Sequence, residues 1–279
     1  TILADTAESG RITMKLGIIS YSFEREAFEK IKEQGLDFVE FCVNADAANR
    51  YAEFGERAPE IKKNLDELGL FTGSVGRWAG RKTLPDGSVN EAERMADHTL
   101  IQAAAVLGCP VYVLGVDYVE ELSLYENYTC AIQYLSELIA FAKPYGIKIA
   151  TCNCRWGNFI HSDPAWSVIH GHLKDLWIKY DPSHSRYAKG EDYLSEMKKW
   201  GHRFAHVHIK GSMLIDGERF DDPPAGMDQT DWGAFMAVLY AKGYDGTLAI
   251  EPHSDIWKEG ELGDAGVAYT IKLIRGMMF

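Results

Sequence analysis

Three apolar runs in the second half of the chain end in groups that can bind a cation or move a proton. Ile178-Lys179-Tyr180-Asp181-Pro182-Ser183-His184 delivers a carboxylate and, three residues on, an imidazole. Ala205-His206-Val207-His208-Ile209-Lys210 delivers two imidazoles and an amine, and Leu248-Ala249-Ile250-Glu251-Pro252-His253 a carboxylate and an imidazole. Carboxylate, histidine and carboxylate at successive strand ends form the donor inventory of a divalent-metal site, with Asp181, His208 and Glu251 as ligands. Each has a plainer use taken singly. Asp181 can cap the following turn, His208 can be a hydrogen-bonded core histidine, and Glu251 can pair with Lys210. Three on one rim shift the balance toward the metal. His206 and His208 share a strand face, and only His208 is near enough to the strand end to reach that rim.

Positioning these groups takes adjacent parallel strands. Apolar runs at Lys15 to Ser20, Phe38 to Val43, Leu70 to Val75, Val111 to Val116, Ile147 to Cys152, Trp177 to Tyr180, His206 to Ile209 and Thr247 to Ile250 are each followed by a stretch with helical periodicity. The helices expected are Glu24 to Gln34, Ala58 to Leu68, Asn90 to Leu107, Leu124 to Lys143, Ala165 to Lys174, Tyr193 to Trp200, Trp232 to Ala241 and Gly266 to Ile274. Strict βα alternation makes a parallel α/β sheet with right-handed crossovers, and eight units close it into a (β/α)8 TIM barrel. An open doubly wound sheet would need a Gly-rich phosphate turn after its first strand, and Ser20-Tyr21-Ser22-Phe23-Glu24 is not one. The long irregular stretches Gly76 to Val89 and Gly211 to Gln229 both follow strands, so both belong to the face where barrel enzymes carry their sites. One domain is expected over residues 14–279. Residues 1–13 read as an appended remnant or a disordered N-terminus, with Met14 as the natural start.

A formal charge of -12 argues against a nucleic-acid surface, which needs a basic stripe to displace counterions. A neutral or locally complemented small-molecule substrate suits the chain better. Five scattered cysteines do not make a disulfide framework, which points to reduced thiols and a cytoplasmic protein. No apolar run approaches the roughly 20 residues that span a bilayer. A homo-oligomer is compatible with the sequence, which does not fix the state.

The set Tyr180-Asp181-Pro182-Ser183-His184, His206-Val207-His208-Ile209-Lys210 and Gly243-Tyr244-Asp245-Gly246 leading to Ile250-Glu251-Pro252-His253 resembles the sugar phosphate isomerase/epimerase family of xylose isomerase-like barrels. The resemblance implies a divalent cation, manganese first and magnesium, cobalt or zinc as alternatives, held by Glu, Asp, His and Glu on strands five to eight. Asp181, His208 and Glu251 carry the last three. The fifth strand departs: Thr151-Cys152-Asn153-Cys154-Arg155-Trp156 places Cys152 where relatives have glutamate. Asn153 is the expected fourth ligand, with a Cys152 thiolate or water as alternatives. The family's epimerases use two glutamates on opposite faces of the substrate, and this chain keeps only Glu251. The expected activity is an isomerase or epimerase that removes a proton next to a carbonyl, with Glu251, His184 and Lys210 as catalytic groups. A one-base lyase or dehydratase on a keto-sugar or keto-inositol is the alternative, and a non-catalytic carbohydrate-binding barrel or partner subunit is the alternative of another class. Trp78, Trp156 and Trp257 are candidate walls for a sugar ring, and Arg77, Arg155 and His161 candidate polar contacts to substrate.

Overall fold

The structure, a computed structural model, describes residues 12–45, 49–188 and 192–279. The N-terminal extension lies, up to residue 11, outside them. Strands β1 (Lys15–Ser20), β2 (Phe38–Cys42), β3 (Phe71–Arg77), β4 (Val111–Leu114), β5 (Lys148–Cys152), β6 (Trp177–Tyr180) and β7 (Phe204–Ile209) pair in parallel in chain order. An antiparallel hairpin follows, β8 (Met213–Ile215) and β9 (Glu218–Asp221), and β10 (Thr247–Ile250) then closes the barrel between β7 and β1. Nine α-helices are described: α1 (Arg25–Glu33), α2 (Arg50–Leu68), α3 (Glu91–Leu107), α4 (Leu124–Ala142), α5 (Asp163–His172), α6 (Pro182–Tyr187), α7 (Tyr193–Trp200), α8 (Trp232–Ala241) and α9 (Gly260–Arg275). The single-domain (β/α)8 barrel expected from the alternation is what forms.

Local chemistry explains most of the boundaries. Ser123 and Glu126 make a reciprocal capping box that starts α4, and Gly69 and Gly108 end α2 and α3 in the left-handed conformation. Helix α2 begins at Arg50 rather than Ala58. Phe54, Ala58, Ile61 and Leu65 are all buried at helical spacing, and this continuous apolar face carries the helix through Gly55 and Pro59. Helix α9 likewise begins at Gly260 rather than Gly266.

Two cores result. The larger lies between strands and helices, and a smaller one fills the barrel with Ile19, Cys42, Val111, Val113, Ala150 and Cys152. The barrel floor is plugged by Phe38, whose ring lies where a Cβ on Gly17 or Gly73 would come within 2.5 or 2.4 Å. Above Phe38 sits a polar layer of Glu40, Ser74 and His206.

The two long loops are held by local contacts. In Gly76 to Val89 two cationic side chains turn to α3: Arg77 pairs with Glu93 at 2.8 Å, and Lys82 with Asp97 at 3.0 Å and Glu93 at 3.3 Å. The Gly211 to Gln229 stretch contains the β8–β9 hairpin, turned at Asp216 and Gly217, both at positive φ. All five cysteines are free, and among the described residues no helix is long and apolar enough to cross a membrane.

One buried histidine gives the fold an acid weakness. His170 on α5 is 1% exposed; its Nδ1–H donates to the Leu176 carbonyl at 3.2 Å, while Nε2 finds no partner. Burial pulls its pKa down to about 4. The unfolded chain binds this proton from an ordinary pKa of about 6.5, so stability is lost as pH falls from there toward the folded value. Between pH 7 and pH 4.5, urea unfolding of the native protein is expected to lose about 2–3 kcal/mol more than that of His170→Phe. Equal losses in the two proteins would remove His170 as the cause.

Candidate active site

The parallel register lifts Asp181, His208 and Glu251 to neighbouring ends of β6, β7 and β10, with ligand atoms within 4.8 Å of one another. Asp181 is fully buried and does two jobs. Its Oδ1 accepts from Ser183 N–H at 2.9 Å and caps α6, while Oδ2 completes no hydrogen bond and is faced by Lys210 Nζ at 3.2 Å and His184 Nε2 at 3.4 Å. Lys210 Nζ is also 3.3 Å from Glu251 Oε2, so one ammonium bridges the two carboxylates.

Asn153 does not join the ligand set. Its Oδ1 accepts from Asp181 N–H at 2.9 Å and its Nδ2 donates to Asp181 O at 2.8 Å, so both ends of the amide clamp the backbone of the ligand beside it. Cys152 is buried, accepts a hydrogen bond from Trp78 Nε1 at 3.2 Å, and has its thiol pushed up to about 11 by burial. Among the described residues, β5 therefore brings no carboxylate to the site.

His208 is held from both sides. Its Nε2 lies 2.7 Å from Glu40 Oε2 and its Nδ1 3.0 Å from Glu251 Oε2. Glu40 Oε2 is also 2.8 Å from His206 Nε2, and His206 Nδ1 is 2.6 Å from Thr247 Oγ1. Glu40 is thus an interior ion-pair partner of two histidines. It can only accept, so it fixes a proton on His208 Nε2 and leaves Nδ1 as the atom that can ligate a cation.

Burial works against every charge here and is overcome by neighbours. Lys210, with His184 and Lys179, holds Asp181 well below the usual carboxylate range, and Lys210 and His208 do the same for Glu251. Burial lowers His208, but Glu40 and then Glu251 outweigh it and leave its pKa raised. His184 is the converse: burial and the Lys210 charge bring it to about 3, so the ring is neutral.

Of these groups His184, His208, Lys210 and Glu251 line a cavity of about 440 Å³, together with Ile19, Tyr21, Cys42, Trp78, Cys154, Trp156 and Lys179. Of the candidate substrate contacts, Trp78 and Trp156 are in the wall. Trp78 folds back over Gly76, where a Cβ would come 2.2 Å from its ring. Arg77 is committed to Glu93, Arg155 is exposed and outside the lining, His161 is also outside it, and Trp257 lines a separate cavity with Pro223 and Pro224. Sequence reasoning missed Lys179 and Tyr21. Lys179 shares the inward face of β6 with Asp181, a period-two signal that was available in the sequence.

Over the rim the loops are tied together. Asp222, after β9, accepts from the Tyr187 hydroxyl at the end of α6, from Arg219, and from His253 beyond β10 at 2.9 Å. One buried carboxylate therefore joins the loops that follow the strands carrying Asp181, His208 and Glu251.

Comparison with known proteins places the fold in a family. The family model described as a xylose isomerase-like TIM barrel matches residues 28–273. Among solved structures, 3-keto-D-glucoside 4-epimerase from E. coli superposes with a TM-score of 0.73 at 18% identity, covering 95% of this chain and 100% of that one. D-psicose 3-epimerase from Clostridium cellulolyticum H10 gives 0.75 at 14% identity over 95% and 99%. A probable 3-DHS dehydratase involved in petrobactin synthesis, from Bacillus anthracis, gives 0.71 at 14% identity over 94% and 99%. At these identities the likeness is one of fold. No curated protein sequence matches.

Proposed function

The chain belongs to the xylose isomerase-like TIM-barrel family, and from that premise we propose that it is a divalent-metal-dependent isomerase or epimerase acting on a sugar or keto-sugar by proton abstraction next to a carbonyl. The observation that carries this reading is the convergence of Asp181, His208 and Glu251, ligand atoms within 4.8 Å of one another, at a cavity that His208 and Glu251 line together with Trp78 and Trp156. The donor set fits the cation: two carboxylates, an imidazole whose other nitrogen is occupied by Glu40, and an Asp181 oxygen that lacks a hydrogen bond. Manganese suits such hard oxygens with one imidazole, and a bound cation supplies Lewis-acid polarisation of the carbonyl. Lys210 reaches the same two carboxylates, so its ammonium and the cation compete for them.

In this reading Glu251 is the base. It takes the proton from the hydroxyl-bearing carbon beside the carbonyl, and the C–H pair becomes the C=C bond of an enediolate as the carbonyl π pair moves onto oxygen. The hydroxyl proton passes to that oxygen, and the same carboxyl returns its proton to the former carbonyl carbon as the other oxygen becomes the carbonyl. That is isomerisation with one base. Epimerisation needs a second group on the opposite face, and the β5 wall brings no carboxylate among the described residues. The neutral ring of His184, which lines the cavity, is the candidate. The missing carboxylate equally favours a one-base elimination, as in a dehydratase.

The test is deuterium wash-in. D-Fructose, D-tagatose, D-psicose and a 3-keto-D-glucoside are incubated with protein and Mn²⁺ in D₂O, and the carbons flanking the carbonyl are followed by NMR. Exchange at one of these carbons, lost on EDTA treatment and restored by Mn²⁺, is expected with at least one of them. Exchange that ignores EDTA sinks the metal requirement, and binding without exchange favours the carbohydrate-binding alternative.

A further inference from the structure

Among the described residues, Lys179 is the buried lysine of the barrel interior that no carboxylate contacts directly, although its charge is felt by Asp181 and Glu251. It is 3% exposed and lines the cavity, yet among the described residues its ammonium makes no hydrogen bond or ion pair. Its Nζ lies 5.9 Å from the face of Trp78. The other deeply buried lysines are paired: Lys210 with Asp181 and Glu251, Lys82 with Asp97 and Glu93. A buried ammonium without a partner costs several kcal/mol, and the cost falls when an anion enters beside it.

The strand register shows why Lys179 is unpaired. Its neighbour across the β5–β6 pair is Cys152. A carboxylate at position 152 would stand beside the ammonium and neutralise it. The thiol there is uncharged and turned to the Trp78 indole. The other cations near the rim are engaged elsewhere, Lys210 by two carboxylates and Arg77 by Glu93.

We infer that Lys179 is the oxyanion-holding residue of the site: its ammonium binds the substrate oxygen that becomes anionic when the adjacent carbon loses its proton. The inference rests on the proton-abstraction reading above and names a catalytic residue for it. As the C–H pair moves into the C=C bond, the carbonyl π pair moves onto oxygen and the proton rides on Glu251. Lys179 contributes charge and hydrogen bonds and transfers no proton. A fixed cation aimed at developing charge in a water-poor cavity is an effective way to stabilise such a state.

The experiment uses oxalate, a planar dianion with the O–C–C–O arrangement of a cis-enediolate. The protein is stripped with EDTA, the chelator is removed by gel filtration, and oxalate is titrated calorimetrically into wild type and Lys179→Met. Wild type is expected to bind, Lys179→Met to bind at least about tenfold more weakly, and the ligand-free variant to melt at the same or a higher temperature, because an uncompensated charge has been removed. The inference is overturned if wild type does not bind oxalate, if the variant binds as tightly, or if the ligand-free variant melts several degrees lower, which would make the ammonium a structural counter-charge. Deuterium wash-in on wild type reports separately. Exchange together with Lys179-independent oxalate binding removes Lys179 and keeps the reaction; Lys179-dependent binding without exchange removes the reaction and keeps the anion site.

Discussion

Glu251→Gln is expected to lower deuterium wash-in at the carbon beside the carbonyl by about 10²–10⁴-fold in kcat/KM, the range that a positioned general base supplies. The amide keeps the size of the side chain and removes both its basicity and its charge. The charge matters twice, since Glu251 faces Lys210 at 3.3 Å and His208 Nδ1 at 3.0 Å. Without it, Lys210 keeps only Asp181, and His208 loses one of the two carboxylates that raise its pKa. Cation affinity is expected to fall with activity, so exchange rates are compared at saturating Mn²⁺ for both proteins. A loss smaller than tenfold under those conditions would show that another group is the base. His184 would be the next to replace.

The largest stability effect is expected away from the cavity, at Asp97. This fully buried carboxylate of α3 accepts from Tyr112 at 2.7 Å and Tyr134 at 2.6 Å and pairs with Lys82 at 3.0 Å. Asp97→Ala leaves two buried hydroxyls without an acceptor and an ammonium with Glu93 alone. Breaking a buried pair from one side costs about 3–5 kcal/mol. The urea midpoint should move accordingly, with an unchanged slope. Adding Lys82→Met to Asp97→Ala removes the stranded charge and is expected to recover part of the loss. A double variant that is no more stable than the single one would place the damage in the tyrosine hydrogen bonds instead. Lys82 and Arg77 lie in a loop whose position after β3 suggested a role at the site; both are used to dock that loop on α3.

The barrel was legible because its signal is repeated: each apolar run is bounded by turn residues and followed by a helical period, and eight repeats leave few topologies. Asp181, His208 and Glu251 were legible for the same reason, since strand ends in a closed parallel barrel share a rim. The sequence did not show how polar side chains divide their hydrogen bonds. Asn153 reads as a ligand from its position beside Cys152, but its amide matches the peptide of Asp181 at both ends, a pairing between chain segments 28 residues apart. Arg77 fails similarly: strand position put it near the rim, and Glu93 on the next helix claimed it. Lys179 is the opposite case. It stands in the heptapeptide that first marked the site, at the same strand parity as Asp181, and went unread because its significance is the absence of a partner in three dimensions.

The tie at Asp222 bears on how this scaffold can be re-engineered. Exchanging substrate loops between barrels fails when an imported segment drags its neighbours, and here the segments after β6, β7 and β10 meet on one carboxylate through Tyr187, Arg219 and His253. A graft that cuts at Gly211 and Gln229 therefore discards the anchor of all three. The turn at Asp216 and Gly217 lies at the far end of the hairpin, is exposed, and contributes nothing to that anchor. Inserted epitopes or fluorophores belong there, where the added chain hangs in solvent and the ligand-bearing strands do not register its weight.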